Sequence, residues 1–195
     1  MQLRTPGLHT AQNALAAATV ALTLKVTPAR VRRALEEFRP RTYAAGYARL
    51  AVVHAPDGTT VLNDTYNANP DSAMAALATL AAMRPAPGGK RIAVLADMKE
   101  LGASSADEHE RIGRELLAFR GIDLVLLHGR DMRRALAAAS DNDLGMRVLH
   151  YADKEKLIRA VDTMVKPSDL LLVKGSRSMR MEEVVRAILE RPVAD

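Results

Sequence analysis

Thr59-Thr60-Val61-Leu62-Asn63-Asp64-Thr65-Tyr66-Asn67-Ala68-Asn69-Pro70-Asp71-Ser72 joins a short apolar run to a longer Ala- and Leu-rich run at 73–83. The first run is typical of a strand and the second of a helix. Asn69 is a good N-cap and Pro70 suits a first helical turn, so the helix is predicted to begin there. In an open α/β sheet such a turn lies at the carboxyl end of a strand, where ligands bind. A well-capped turn with no other role is the alternative, but the density of amides and the tyrosine favour binding.

The same alternation of strand and helix patterns continues along the rest of the chain. Several apolar runs are continuous, as expected for strands buried on both faces of a sheet. The turn Pro56-Asp57-Gly58 predicts a hairpin between strands at 50–54 and 59–62. The pattern therefore predicts an α/β fold with a doubly wound, mostly parallel, Rossmann-like sheet. Further strands are predicted at 91–96, 124–127, 147–150 and 170–173, and helices at 70–83, 106–119, 131–139, 154–165 and 179–190.

The N-terminal part has a different organisation. Helices are predicted at 11–24 and 28–38, the second of them capped by Thr27-Pro28. Residues 40–46 are interpreted as a linker, because Pro40 and Gly46 stand at its ends. We therefore divide the chain into a helical segment, 1–45, and an α/β domain, 46–195.

Composition limits the kind of protein this is. The chain has 195 residues, a net charge of +5 and no cysteine, so disulfides and thiolate metal sites are excluded. No apolar run reaches the ~18 residues of a membrane span, and no signal-peptide pattern is present, so a soluble cytoplasmic protein is the expectation. The basic segment 30–41 is interpreted as a solvated helix face. It lacks an aromatic stacking platform, so small anionic ligands are favoured over nucleic acid.

Two more strand ends carry polar residues. Asp97-Met98-Lys99-Glu100-Leu101-Gly102 follows one strand, with Ser104 or Ser105 available to cap the next helix and His109 in its first turns. Lys174-Gly175-Ser176-Arg177-Ser178 follows another. Backbone N–H groups near Gly175 are candidates for binding an anion, with solvent exposure of Lys174 and Arg177 as the alternative.

Several common sites have no support in the sequence. The five histidines show neither metal-ligand spacing nor a carboxylate–histidine cluster, so no metal site is predicted. Neither Gly-x-Gly-x-x-Gly after a strand nor Gly-x-x-x-x-Gly-Lys-Ser/Thr is present. The residues alone therefore predict an α/β ligand-binding domain with a polar edge.

Four stretches together resemble the Mur ligases, in the branch that adds D-alanyl-D-alanine to the UDP-N-acetylmuramoyl tripeptide. The resemblance spans nearly the whole chain, and it implies a helical tail of the ATP-binding central domain at 1–45 and a complete C-terminal domain at 46–195. It also implies that the uridine-binding domain, the phosphate loop and the Mg²⁺-binding residues are not in this chain. The four stretches are Gly7-Leu8-His9-Thr10-Ala11-Gln12-Asn13-Ala14-Leu15-Ala16-Ala17, Asp64 to Ser72, Asp97 to Gly102 with Ser105 and His109, and Val173 to Glu182.

The chain departs from the family pattern at three positions. Asn63 replaces the first of two acids that usually precede Ser/Thr-Tyr. The junction arginine, Arg49, stands two positions later than in the usual Gly-Arg. Ala96 occupies a position where glycine commonly precedes Asp-Met.

The resemblance implies ATP-dependent amide formation through an acyl phosphate, with ATP and Mg²⁺ as cofactors. It implies that Asn13 contacts adenine, Asp64 the ribose, and Arg49 the nucleotide. Two alternatives stay open: a non-catalytic ligand-binding module with this fold, and a ligase half that works with a separate partner chain. The substrates implied are UDP-N-acetylmuramoyl tripeptide and D-alanyl-D-alanine, with substrate-binding residues Tyr66, Asn67, Asn69 and Ser176 and catalytic residues Lys174 and Arg177.

Overall fold

A computed structural model describes residues 1–139 and 145–192. The predicted domain 46–195 therefore includes two segments, 140–144 and 193–195, that lie outside the described residues. Within the described residues no helix is long and apolar enough to cross a bilayer. The strands are β1 (Ala51–His54), β2 (Thr60–Asp64), β3 (Arg91–Ala96), β4 (Leu124–His128), β5 (Arg147–Tyr151) and β6 (Leu170–Lys174). The helices are α1 (Leu8–Thr23), α2 (Pro28–Glu37), α3 (Pro70–Ala82), α4 (Ser105–Leu116), α5 (Met132–Ala138), α6 (Lys154–Met164) and α7 (Glu182–Leu189).

The strands form one sheet in the order β1-β2-β6-β3-β4-β5. Only the pairing of β1 with β2 is antiparallel, as the predicted hairpin requires, and the other pairings are parallel. The prediction of a mostly parallel α/β sheet is confirmed.

Helices cover both faces of the sheet because alternate strand residues point to opposite sides. On one face Leu95 and Leu127 pack with Leu77 of α3 and Ile112 of α4. On the other face a second cluster joins the sheet to α6 and α7, including Leu157 and Val185. The central strands β3, β4 and β6 therefore each carry a continuous buried apolar run, at 92–96, 124–127 and 170–173, as their sequence predicts.

The segment interpreted as a linker is a tight turn packed on the sheet domain. Thr42 and Ala48 form an antiparallel bridge, and the N–H of Gly46 donates to the carbonyl of Tyr43 at 2.7 Å. The N–H of Tyr66 donates to the carbonyl of Ala48 at 2.9 Å. These contacts attach residues 42–48 to the sheet.

Two predicted helix starts and one predicted cap need correction. α1 begins at Leu8 and not at 11. α4 follows a 3₁₀ turn, and neither Ser104 nor Ser105 caps it with a side-chain hydrogen bond. α7 begins at Glu182 and not at 179, because Arg180 has a left-handed backbone (φ 48°) that interrupts the helix.

Candidate functional site

Asp64 and Lys174 form an ion pair at the carboxyl ends of two neighbouring strands. They are register partners across β2 and β6. Lys174 Nζ donates to Asp64 Oδ2 at 2.6 Å and to the carbonyl of Asn67 at 2.9 Å. The remaining oxygen, Asp64 Oδ1, accepts the N–H of Leu50 at 3.0 Å. The lysine side chain is only 2% exposed, so the alternative of a solvent-exposed loop lysine is wrong.

The surroundings of Lys174 disfavour its charge. Burial lowers the pKa of Lys174, and the nearby charge of Arg49 lowers it further, while Asp64 opposes both effects. The charge of Arg49 therefore acts on the same lysine as the charge of Asp64, with opposite sign. Acid, amine and guanidinium therefore form one electrostatic unit at this edge.

A cleft of about 670 Å³ lies between the helical segment and this edge of the sheet. It brings together the three residues implied to contact the nucleotide: Asn13 from α1, Arg49 from the junction and Asp64 from β2. Much of the remaining wall is apolar. The lining also includes Asn67, Asn69 and Lys174, together with Arg4, Arg41, Tyr43, Ala14, Ala17, Leu35, Phe38 and Leu50.

The other three predicted site residues, Tyr66, Ser176 and Arg177, do not line this cleft. Ser176 is buried, and its hydroxyl accepts the N–H of Lys99 at 2.8 Å and donates to the carbonyl of Ala68 at 3.3 Å. Arg177 makes an ion pair with the buried Glu182, with both carboxylate oxygens at 2.8 Å. Both side chains thus hold neighbouring loops together at the carboxyl edge of the sheet.

Asn69 and Asn67 differ in the hydrogen bonds that they make with neighbouring residues. Asn69 caps α3: its side chain accepts the N–H of Ser72 at 2.8 Å, and Ser72 accepts the N–H of Asn69 in return. The predicted cap is therefore present. Asn67 is exposed and its side chain accepts the N–H of Ala68 at 2.9 Å. The amide nitrogen of Asn67 thus remains available to a ligand.

Three tyrosines pack against one another beside the cleft. Tyr43 and Tyr47 have ring centroids 4.7 Å apart, and Tyr43 and Tyr66 have ring centroids 5.5 Å apart. Arg49 lies over the ring of Tyr66 at 4.0 Å. No aromatic cluster near the basic segment is predicted from the sequence, in which these tyrosines are separate residues. Since other tyrosines and arginines stack on these rings, the cluster does not offer an obvious stacking surface for nucleic-acid bases.

The chain's departure at Asn63 has a structural explanation. The side-chain amide of Asn63 donates to the carbonyl of Gly46 at 2.8 Å, and its oxygen accepts the hydroxyl of Thr65 at 2.7 Å. A carboxylate has no N–H to donate to that carbonyl. The amide therefore fastens the 42–48 turn to the strand that carries Asp64.

The predicted anion site around Gly175 is not present in this geometry. A Cβ on Gly175 would approach Met181 to 2.7 Å and Ala96 to 2.8 Å, so the backbone is packed against protein. The N–H of Ser176 donates to the carbonyl of Asp97 at 3.3 Å. The first turn of α7 carries acidic residues, Glu182 among them, which disfavour an anion there.

Sequence reasoning missed a cluster on the adjacent strand ends. Asp97, His109 and Asp131 have ligand-type atoms within 4.8 Å of one another, so a carboxylate–histidine cluster exists after all. The ammonium of Lys99 lies 2.8 Å from Asp97 and 3.4 Å from Asp131. The Asp-Met-Lys run signalled these residues, but it gave no sign that Asp131 would join them.

Hydrogen bonds give this cluster a structural role. His109 is fully buried; its Nε2 accepts the N–H of Met98 at 3.0 Å, and its Nδ1 donates to the carbonyl of Ser105 at 2.6 Å. Burial would raise the pKa of Asp97, but hydrogen bonds from Lys99 and two backbone N–H groups outweigh it and the pKa is lowered. The pKa of Lys99 is raised, because contacts with Asp97 and Asp131 outweigh its own desolvation. The cluster holds the 97–104 loop, and both histidine nitrogens are occupied.

Residues 48–177 match the family model described as Mur ligase, glutamate ligase domain. This chain belongs to the Mur ligase family. The match covers the sheet from the junction turn through β6 to Arg177, which includes the Asp64–Lys174 pair.

Curated Mur ligases of one kind align with nearly the whole chain. The UDP-N-acetylmuramoyl-tripeptide–D-alanyl-D-alanine ligase of Escherichia coli is 36% identical over 187 residues, which are 95% of this chain and 38% of that protein. The enzyme of the same name from Bacillus subtilis is 30% identical, covering 96% of this chain and 39% of that protein. The chain thus spans about two fifths of the length of these relatives.

Solved Mur ligase structures share the fold. MurF from Acinetobacter baumannii superposes with a TM-score of 0.77 at 29% identity, covering 95% of this chain and 38% of that one. MurF from Thermotoga maritima, solved in complex with ADP, superposes with a TM-score of 0.68 at 26% identity, covering 88% of this chain and 36% of that one.

The cleft of this Mur ligase chain suits a nucleotide better than it suits a metal ion. Its volume lies within the range of ~300–1,000 Å³ typical of small-molecule sites, and it combines apolar walls with a few polar groups. Asp64 is the one carboxylate among the described lining residues, and its negative charge is already paired with Lys174 at 2.6 Å. We therefore derive no step that depends on Mg²⁺ held by these residues.

Proposed function

We propose that this chain is the C-terminal part of an ATP-dependent amide ligase that joins D-alanyl-D-alanine to UDP-N-acetylmuramoyl tripeptide in the cytoplasmic synthesis of peptidoglycan precursors. The observation that carries the proposal is the shared cleft of Asn13, Arg49 and Asp64, which come from three separate segments. The names of the aligned relatives support the reaction. The remaining ligase domains, on the same polypeptide or on a separate one, would complete the active site.

In this proposal the cleft holds the nucleoside. The apolar side chains of Ala14, Leu35 and Phe38 offer surface for the base, and Asn13 offers both a donor and an acceptor for its edge. Asp64 retains acceptor capacity for a ribose hydroxyl, because each carboxylate oxygen has two lone-pair sites. Lys174 holds Asp64 in place through the 2.6 Å ion pair.

Bound ATP would supply the phosphoryl group that activates the tripeptide carboxylate as an acyl phosphate. The dipeptide amine would then attack the acyl carbon, forming the amide bond as inorganic phosphate leaves and the amine loses a proton. This chain's part is to present that amine to the acyl carbon, and such positioning can lower a barrier by several kcal/mol. We assign the substrate-facing edge to Tyr66, Asn67 and Asn69. Ser176, predicted to bind substrate, and Lys174 and Arg177, predicted to be catalytic, are interpreted as positioning residues for that edge. The contacts suggest that Lys174 acts through Asp64, and Arg177 through the loop it holds with Glu182.

Calorimetry with the 195-residue protein tests the nucleotide site directly. We expect ADP and adenosine to bind, and Asn13→Ala to weaken both, because it removes the proposed contact with the base. Gln12→Ala is the matched control, since Gln12 is exposed on the same helix and does not line the cleft. If the unaltered protein binds neither ligand, or if both variants weaken binding equally, the proposed site is wrong.

A further inference from the structure

In the described part of the chain, three arginines lie over tyrosine rings. Arg49 is 4.0 Å from the centre of the Tyr66 ring, and Arg177 is 3.9 Å from that of Tyr47. Arg41 lies over Tyr43 at the longer distance of 5.5 Å. A ring under the flat face of a guanidinium restrains the arginine but leaves its in-plane N–H donors free.

The three arginines differ in what their donors contact. Arg177 donates from Nη1 to both carboxylate oxygens of Glu182, at 2.8 Å each. Among the described residues, Arg41 and Arg49 have neither a hydrogen-bond acceptor nor an ion-pair partner, and both line the cleft. Two restrained arginines with unused donors thus face the same space.

The cleft as a whole is basic. Arg4, Arg41, Arg49 and Lys174 contribute positive charge to its lining, and Asp64 is the one acid among the described lining residues. Arg49 also lies close enough to the Asp64–Lys174 pair to influence it electrostatically. This excess positive charge lies beside Asp64, the carboxylate that we assign to the ribose. Because the phosphates of a nucleotide are attached to its ribose, they would lie next to this charge.

We propose that Arg41 is a second phosphate-binding residue, which acts with Arg49 on the diphosphate part of a nucleotide in the cleft. This inference rests on the proposed nucleotide site and adds to it a residue that the family resemblance did not assign. Planar guanidinium groups suit phosphate oxygens because they offer paired donors at fixed spacing. The ring of Tyr43 reduces the freedom that Arg41 would lose on binding.

The test measures binding of ADP, adenosine and inorganic pyrophosphate to the 195-residue protein and to Arg41→Gln. Losing one charge-assisted contact is expected to weaken ADP and pyrophosphate about tenfold or more. Adenosine should change by less than about twofold, because it has no phosphate. Arg32→Gln removes the same charge from an exposed residue outside the cleft, and it should leave all three ligands nearly unchanged.

Tyr43→Leu tests the contribution of the ring apart from that of the arginine's charge. It keeps Arg41 but removes its support, so binding of pyrophosphate should weaken by a few fold while thermal melts confirm that the variant folds. Unchanged pyrophosphate binding in a folded Tyr43→Leu protein would overturn the role of the ring.

The outcomes separate this inference from the nucleotide proposal. If pyrophosphate binds through Arg41 but adenosine does not bind, the phosphate site stands and the nucleoside site fails. If adenosine binds, and ADP binds no more tightly and is unaffected by Arg41→Gln, the phosphate role of Arg41 is overturned while the nucleoside site stands. If Arg41→Gln and Arg32→Gln weaken ligand binding equally, the effect comes from the net charge of the protein and the inference is overturned. If none of the ligands binds, both proposals are overturned.

Discussion

At the scale of single residues, the burial of Lys174 beside Asp64 predicts that a mutation of Lys174 lowers the stability of the fold. Removing one member of a buried ion pair typically costs ~3–5 kcal/mol. Asp64 keeps 13% exposure, so we expect about 3 kcal/mol for Lys174→Met. In a domain of this size that corresponds to a melting temperature lowered by roughly 6–12 °C.

Asn67→Ala is the matched control for this prediction. Lys174 contacts the backbone carbonyl of Asn67, which alanine retains, and the asparagine side chain is exposed. We expect its stability to change by no more than about 0.5 kcal/mol, while synthesis by a complete ligase falls. A Lys174→Met protein as stable as the unaltered chain would show that the ion pair contributes little.

Asp57 should make stability depend on pH. Burial would raise the pKa of Asp57, but hydrogen bonds from Thr59 and Arg191, with the charge of Arg191, outweigh burial and lower it below the ordinary 3.8. A carboxylate with a lowered pKa in the folded state stabilises the fold above that ordinary value, and this contribution is lost as pH falls through the folded-state pKa.

Asp57→Asn tests this dependence. We expect it to cost about 1.5 kcal/mol at pH 6, because it removes the charge that Arg191 contacts at 3.3 Å. The gap between the variant and the unaltered protein should narrow below pH 3.8, where the native acid also loses its charge. Denaturant unfolding from pH 6 to pH 2.5 measures the gap, with the exposed Asp107→Asn as control. A gap that stays constant over this range would contradict the pKa shift.

At the scale of elements, the sequence predicts what depends on local pattern and misses what depends on neighbours. β3 spans Arg91–Ala96 as predicted, because a continuous apolar run between turns specifies a buried strand. The burial of Lys174 could not be read in this way. It depends on β6 lying beside β2, and the alternation of helices and strands does not specify the order of strands in the sheet.

At the candidate site, too, the sequence predicts the features that depend on local pattern and misses those that depend on neighbours in the fold. The strand-end motifs predicted which segments lie at the edge of the sheet. They did not predict that Ser176 and Arg177 would contact protein groups, because the acceptors Ala68 and Glu182 reach them only after the chain folds. Nor did they predict the tyrosine cluster, whose members come from the junction turn and from the strand end after β2.

The helical segment is the element we expect to be held least firmly. α1 buries one side chain, Ala14, and leaves Leu8 78%, Leu15 69% and Leu22 44% exposed along one stripe. Apolar surface of this kind marks an interface, and an isolated helix of 16 residues is only marginally stable. In the proposed ligase this stripe packs on the rest of the central domain.

Limited proteolysis should therefore cut within residues 24–41 and leave a resistant fragment that still contains the 42–48 turn. Hydrogen bonds from Asn63 to Gly46 and from Tyr66 to Ala48 hold that turn on the sheet. Mass spectrometry of the fragment gives its first residue. A resistant fragment that begins beyond residue 48, or protection of the whole of 24–41, would contradict this division of the chain.

At the scale of the whole molecule, we expect the described residues to supply one side of the proposed reaction and not its phosphoryl chemistry. Transfer of a γ-phosphoryl group depends on cradling the phosphates and Mg²⁺ together. The sequence contains no Gly-x-x-x-x-Gly-Lys-Ser/Thr, and the charge of the one carboxylate among the described cleft residues is already paired with Lys174. We therefore expect the 195-residue protein to bind ADP without hydrolysing ATP.

A coupled assay for ADP release, run on the sample used for calorimetry, measures this directly. Binding of ADP in that sample establishes that the cleft is formed, so a rate equal to that of buffer then reports missing chemistry and not a misfolded protein. Addition of the tripeptide and dipeptide substrates should leave the rate unchanged, since neither substrate supplies the groups that cradle the phosphates and Mg²⁺ for transfer to the tripeptide carboxylate. ADP release above buffer that disappears in Asn13→Ala would mean that the cleft alone supports phosphoryl transfer, and the assignment of that step to other ligase domains would be wrong.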